Sequence, residues 1–130
     1  MAHPNEDITR KAYAAFSAGD MDTLASIMAP DLVWHVLGRN ALSGDYRGVE
    51  QTLQFLGRLV DMTGGTLQVD VHDVVANDDH AVALVRATAE RAGRTYDANE
   101  AHVAHYRDGR LTEFWPISTD QRAFDDFINA

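Results

Sequence analysis

The 130 residues suffice for one domain able to bury most of the surface its unfolded chain would expose. Twenty acidic against eleven basic residues give a formal net charge of -9, which leaves no basic face for nucleic acid or an anionic membrane. With no cysteine, a disulfide framework, a thiolate zinc site and a cysteine nucleophile are excluded together.

The N-terminal Met-Ala-His-Pro-Asn-Glu-Asp is polar and acidic rather than signal-like, and no apolar run approaches a membrane-spanning length. A cytoplasmic location is therefore expected. In chain order, a first helix is expected from an N-cap at Asn5, with Glu6 and Asp7 set against the positive end of its dipole. Ile8, Ala12, Ala15 and Phe16 form its apolar stripe, Tyr13 flanks that stripe, and Gly19 ends it. Asp20 caps a short second helix that buries Leu24, Ile27 and Met28, and Pro30 stops it for want of an N–H. Residues 31–38, Asp-Leu-Val-Trp-His-Val-Leu-Gly, read as a strand with one imidazole, His35, among apolar neighbours. A turn-rich connection over 38–48 leads to a third helix over about 49–62. Val49, Leu53, Leu56 and Val60 lie on one side of it, Phe55 and Leu59 widen the stripe, and Gly64-Gly65 stops it.

From Thr66 the hydrophobic period changes to two. Leu67, Val69 and Val71 alternate with Gln68, Asp70 and His72, Asn77-Asp78-Asp79 makes a turn, and 81–85 forms the next strand. Ala92-Gly93 turns again, and a strand runs over about 95–107. Asp108-Gly109 is a hairpin signal, because both residues tolerate positive φ, and a last strand covers 111–117. Ser118-Thr119-Asp120-Gln121 has capping-box form and opens a closing helix with Phe124, Phe127 and Ile128 on one side. Helices followed by a four-strand antiparallel meander read as a single α+β domain over residues 1–130. Such a meander curls. With the N-terminal helices across its concave face it encloses a cone-shaped cavity, the natural place for a small molecule.

His35 is either a core imidazole bonded to backbone or a general base facing that cavity, since histidines ordinarily titrate near ~6.5. Glu100 lies two residues from His102 and shares its strand face, whereas His105 and Arg107 face the other way. Trp34 alternates with His35 and is expected to point away from it, into a secondary core or a dimer interface. Phe114 and Trp115 oppose one another, and parity leaves open which lines the pocket. His72 lies on the more polar side of its strand, His80 reads as a solvated turn residue and His3 as a frayed terminus. His35, His102 and Glu100 have the composition of a two-histidine, one-carboxylate metal set. No local ligand motif such as H-E-x-x-H accompanies them, so no metal is expected. No P-loop, G-x-G-x-x-G or G-x-S-x-G is present, and no cofactor is expected.

This order of elements, with Tyr-Ala-Ala-Phe-Ser-Ala-Gly-Asp at 13–20, Gly-Asp-Tyr-Arg-Gly at 44–48 and Asp-Gly-Arg-Leu-Thr-Glu-Phe-Trp at 108–115, resembles the nuclear-transport-factor-2-like superfamily. Within it the chain is most similar to the SnoaL-like branch, related to polyketide cyclases and ketosteroid isomerases. The resemblance covers nearly the whole chain and implies a cone fold and a homodimer formed through the outer sheet face. Ketosteroid isomerases use a carboxylate base, with an oxyanion hole built from a tyrosine and a protonated aspartate. Matched on Gly38, the base position falls on His35. Matched on Asp108-Gly109, the protonated-aspartate position falls on His102, and matched on Gly19-Asp20 the tyrosine falls on Ala12, one residue before Tyr13. Both acids are thus replaced by histidine and the tyrosine is displaced, which argues against steroid isomerisation in its familiar form.

The expectation that follows is cofactor-free acid–base chemistry on a small apolar or carbonyl-bearing molecule, of isomerase, cyclase or lyase type. His35 is expected as base, His102 held by Glu100 as acid or oxyanion donor, and Tyr13, Phe16, Phe55, Phe114 and Trp115 as substrate-binding wall. The alternative is a non-catalytic ligand-binding or dimerisation module, with His35 packed against backbone partners and a narrow or filled cavity. Whether both imidazoles reach the cavity separates the two.

Overall fold

In the computed structural model residues 2–130 are described. They form α1 (Pro4–Ala18), α2 (Met21–Ile27), β1 (Met28–Val36), β2 (Gly44–Arg47), α3 (Gly48–Met62), β3 (Gln68–Ala76), β4 (His80–Arg91), β5 (Arg94–Arg107), β6 (Arg110–Ser118) and α4 (Gln121–Ile128).

The first helix starts earlier than its Asn5 signal suggested. His3 is the N-cap, its Nδ1 accepting the Asn5 N–H at 3.0 Å, and Pro4 occupies the first turn, where its missing N–H costs nothing. Asn5 is instead buried, and its amide donates to the carbonyls of Asn77 and Asp78 at 2.9 and 3.0 Å. His3 adds a contact of its Nε2 to Asp78 at 2.8 Å. The residue read as frayed is a clamp between α1 and the β3–β4 turn.

The strands form one curved sheet in the order β2-β1-β6-β5-β4-β3, antiparallel throughout except for the parallel β1–β6 pair. The sheet has one strand beyond those expected, and β1 differs in its bounds. Residues 44–47, taken as connection, are β2 and pair with β1. The His35 strand docks beside β6, and it begins at Met28, which was expected to end α2. Pro30 is tolerated there because the β1–β6 register is interrupted between Met28 and Val33. Both tight hairpins have positive φ at both central residues, Ala92-Gly93 at 50 and 73° and Asp108-Gly109 at 51 and 76°.

Helices α1 and α3 lie across the concave face. On β4 the inward positions Ala81, Ala83, Val85, Ala87 and Ala89 are small and buried, which lets α1 approach the sheet, while Leu84 is turned out and 43% exposed. The core is closed by Met28, Leu32, Leu42 and Ile128, each worth about 1.5–3 kcal/mol on burial. Helix α4 is latched to the 37–43 loop: Asp125 accepts from the Arg39 N–H at 3.0 Å, the Asn40 amide at 2.8 Å and the Gln121 amide at 2.9 Å. Gly38, at φ 86°, passes directly beneath that carboxylate, where any Cβ would collide with Asp125 and Gln121.

Candidate functional site

The concave face, α1, α2, α3 and α4 enclose a cavity of about 140 Å³ with an almost wholly apolar wall. Phe16, Phe55 and Phe114 are in that wall, together with Phe124 and Phe127 of α4. The exceptional stretch is on β5, whose alternate residues Tyr96, Glu100, His102 and Tyr106 all face inward.

These groups form a chain of hydrogen bonds. His102 Nε2 lies 2.7 Å from Glu100 Oε1, and Tyr96 donates its hydroxyl to Glu100 Oε2 at 2.7 Å. Tyr13 of α1 meets His102 Nδ1 at 2.6 Å, and Ser118 Oγ meets the Tyr96 hydroxyl at 2.5 Å. A carboxylate only accepts, so a neutral His102 carries its hydrogen on Nε2 and presents Nδ1 as an acceptor to Tyr13. The order is therefore Ser118 to Tyr96 to Glu100, with Glu100 orienting His102 and Tyr13 donating to it. His102 is only 7% exposed, and its ring stacks on Tyr13 and meets Phe114 edge-on. In such surroundings the hydrogen bonds are electrostatically stronger than in water.

Burial pushes the Tyr13 phenol far above its usual value, reinforced by Tyr106 and by the charge of Glu100. Burial raises Tyr96 as well; the Ser118 hydrogen bond opposes this, while the charge of Glu100 and the hydrogen bond to it add to the rise. Both tyrosines rest as neutral phenols.

His35 does not join them. Cross-strand partners share a face, and Trp34 is opposite the inward Phe114 in the parallel β1–β6 pair. Trp34 therefore lines the cavity, correcting its expected outward direction, and His35 projects from the convex face. There its Nδ1 is 2.8 Å from Asp45 and its Nε2 is 3.0 Å from Glu113, while its ring lies flat on Trp115 at 4.7 Å. Both nitrogens are taken up by carboxylates, and neither reaches the cavity. The two-histidine arrangement fails on this geometry, and so does assembly of a His35, His102 and Glu100 metal set. Trp115 leaves the substrate-wall list for the same reason; Phe114 is the inward member of that pair.

The remaining histidines sort as follows. His105 faces out, as expected, near Glu113 and edge-on to Trp115 and His80. His80 is exposed at the start of β4, and His72 is exposed beside the register shift between Val71 and Asp73. The reading by residue missed Trp34, Tyr96 and Ser118. Tyr96 was accessible through parity with Glu100 and His102, whereas Trp34 was hidden by assigning the cavity face to its neighbour.

The SnoaL-like domain profile matches residues 9–114. The chain is 35% identical over 122 residues to the uncharacterised protein Rv0034 of Mycobacterium tuberculosis, 93% of each being covered. Bal32a, from a soil-derived mobile gene cassette, superimposes with a TM-score of 0.93 at 34% identity, over 98% of both chains. IdmH of Streptomyces antibioticus, described as a candidate polyketide cyclase, superimposes with a TM-score of 0.74 at 27% identity, over 91% of this chain and 94% of its own. Structures sharing this architecture are described as cystatin-like and NTF2-like.

Proposed function

The chain belongs to the SnoaL-like domain family, and on that footing we propose that its cavity carries out cofactor-free proton transfer next to the carbonyl of a small apolar molecule, as an isomerase or cyclase. The observation that carries this reading is the Tyr13–His102–Glu100 relay, the main polar feature of an otherwise hydrocarbon wall. The apolar wall supplies binding by burial, and the relay supplies the base.

In the proposed step the Tyr13 oxygen takes a proton from the carbon beside the carbonyl while its own hydroxyl proton passes to His102 Nδ1. The bound substrate is then an enolate, Tyr13 remains a neutral phenol, and the imidazolium is held by the negative charge of Glu100. Returning the proton to another carbon of the enolate completes an isomerisation; in a cyclisation the enolate carbon adds to a second carbonyl carbon of the same molecule, forming the ring bond, and the resulting alkoxide takes the proton back from the relay. The elevated phenol of Tyr13 favours this coupled transfer over a resting phenolate. Glu100 fixes the tautomer that makes Nδ1 the acceptor, and Tyr96 with Ser118 holds Glu100.

Exchange of the C2 hydrogens of 1-indanone for deuterium, followed by proton NMR in deuterated buffer, tests the reading. Wild-type protein should accelerate exchange over buffer, and Tyr13→Phe should abolish most of that acceleration. No acceleration by the wild type would overturn it.

A homodimer through the convex face accompanies this proposal. Val75, Val82, Val103 and Trp115 follow one another across β3–β6, with Leu84, Ala101 and Ile117 in the adjoining row. Leu84 and Ile117 are 43 and 41% exposed there, an apolar patch suited to a second copy. Sedimentation equilibrium should give a dimer that Leu84→Glu converts to monomer.

A further inference from the structure

A census of the polar side chains lining the cavity leaves one group unaccounted for. Tyr13, His102, Tyr96 and Ser118 spend their hydrogens within the relay. Thr9 donates to the Asn5 carbonyl at 2.7 Å, which leaves Tyr106 to donate to Thr9 at 2.8 Å. Thr63 donates to the Leu59 carbonyl at 2.9 Å, and the Gln121 amide to Asp125 at 2.9 Å and to the Leu37 carbonyl at 3.3 Å. Trp34 Nε1 has no partner, and among the described residues it is the one buried side-chain nitrogen or oxygen in that condition. An indole N–H can only donate, and burying it unpaired is unfavourable.

Its surroundings suggest what would pair with it. The indole stands on the cavity side of β1, its ring 4.0 Å from Phe114 and 6.1 Å from Phe55. His102 meets the same Phe114 ring at 5.3 Å, so the unused donor and the relay flank a single phenyl ring. Nε1 itself has almost no exposed surface, so a ligand pairs with it only by displacing the atoms that cover it.

We propose that Trp34 Nε1–H is the hydrogen-bond donor for the ligand's oxygen, and that the ligand is a flat aromatic ketone whose carbonyl lies at Trp34 and whose acidic carbon lies at Tyr13. This deepens the acid–base reading of the cavity and rests on it for the placement of the carbon. The charge that develops on oxygen as the enolate forms is then met by a donor already fixed in a water-poor wall, the arrangement that stabilises such a transition state most. A wall with one free donor favours a ligand with one acceptor there, and rejects a hydrocarbon of the same shape less by size than by leaving the N–H unpaired.

The probes are 1-indanone and indane, equal in shape and differing in the carbonyl. With ¹⁵N-labelled tryptophan the protein gives two indole signals, Trp34 and Trp115, which Trp115→Phe assigns. The Trp34 signal should move downfield with 1-indanone and not with indane. Trp34→Phe should weaken 1-indanone relative to indane by about tenfold, the worth of one hydrogen bond to a buried donor. Should Trp34→Phe fail to fold, the wild-type indole signal decides. An identical response to both probes, an unchanged affinity ratio, or binding of neither probe would overturn the assignment. A Trp34 response to the carbonyl without deuterium exchange at C2 would overturn the acid–base reading alone and leave the donor standing.

Discussion

The sheet carries a carboxylate-bound histidine on each face, and the two differ in what their second nitrogen meets. On the concave face His102 gives one nitrogen to Glu100 and offers the other to a phenol inside an apolar cavity. On the convex face His35 is held by a carboxylate on each nitrogen, and its ring lies flat against Trp115. The same side chain thus offers a nitrogen to a buried phenol in one place and is held between two carboxylates in the other. On the proposed reading, proton transfer needs an acceptor nitrogen paired with a phenol in an apolar wall, and an imidazole alone does not supply it.

The concave face should be the first to fail at high pH. Tyr13, Tyr96 and Tyr106 all have folded pKa values raised above their unfolded ones, burial being the largest cause. Below about pH 10 these groups are protonated in both states and contribute no pH dependence. Above it the unfolded chain loses protons that the folded one keeps, so stability falls as pH rises. Tyrosinate absorbance from these three should appear only together with loss of the folded circular dichroism signal. Early ionisation in a still-folded protein would contradict the sealed wall.

The two histidines can then be separated by matched substitutions. His102→Gln should lower the C2 exchange of 1-indanone by about a hundredfold or more, the usual worth of a general base. His35→Gln should leave that rate unchanged, and a comparable loss from it would break the distinction between the faces. Glu100→Gln removes the negative charge and one of the two acceptor oxygens that Tyr96 and His102 meet, but keeps the shape of the site. It should cost about tenfold to a hundredfold in exchange rate. The smallest effect belongs outside: Glu113→Gln should change stability in urea by less than about 1 kcal/mol, because its side chain is 40% exposed.

Apart from β2, the order of helices and strands was readable from period and punctuation, since Gly64-Gly65, Ala92-Gly93 and Asp108-Gly109 mark true breaks. Glu100 and His102 were legible as a pair because a two-residue spacing keeps one face along an uninterrupted strand. The face of β1 was not legible. Leu-Val-Trp-His-Val carries large apolar residues at both parities, Trp34 inward and Val33 beside His35 outward, so alternation gave little contrast there. What decides it is the alignment of Trp34 with Phe114 across the parallel β1–β6 pair, a long-range pairing that local pattern does not encode. Matching by position within the family put His35 where relatives keep an acid, yet in this chain its neighbour Trp34 takes the inward direction. Tyr13 shows the opposite outcome: one residue away from the matched helix position, it still reaches the site, through His102.

The claim that His102, oriented by Glu100, offers Nδ1 as the base can be read directly from ring-nitrogen NMR of ¹⁵N-histidine-labelled protein at mildly alkaline pH. The account predicts that His102 is a neutral imidazole with hydrogen on Nε2 and a strongly hydrogen-bonded, unprotonated Nδ1, and that Glu100→Gln disturbs this tautomer. A proton found on Nδ1 in the wild type would contradict it.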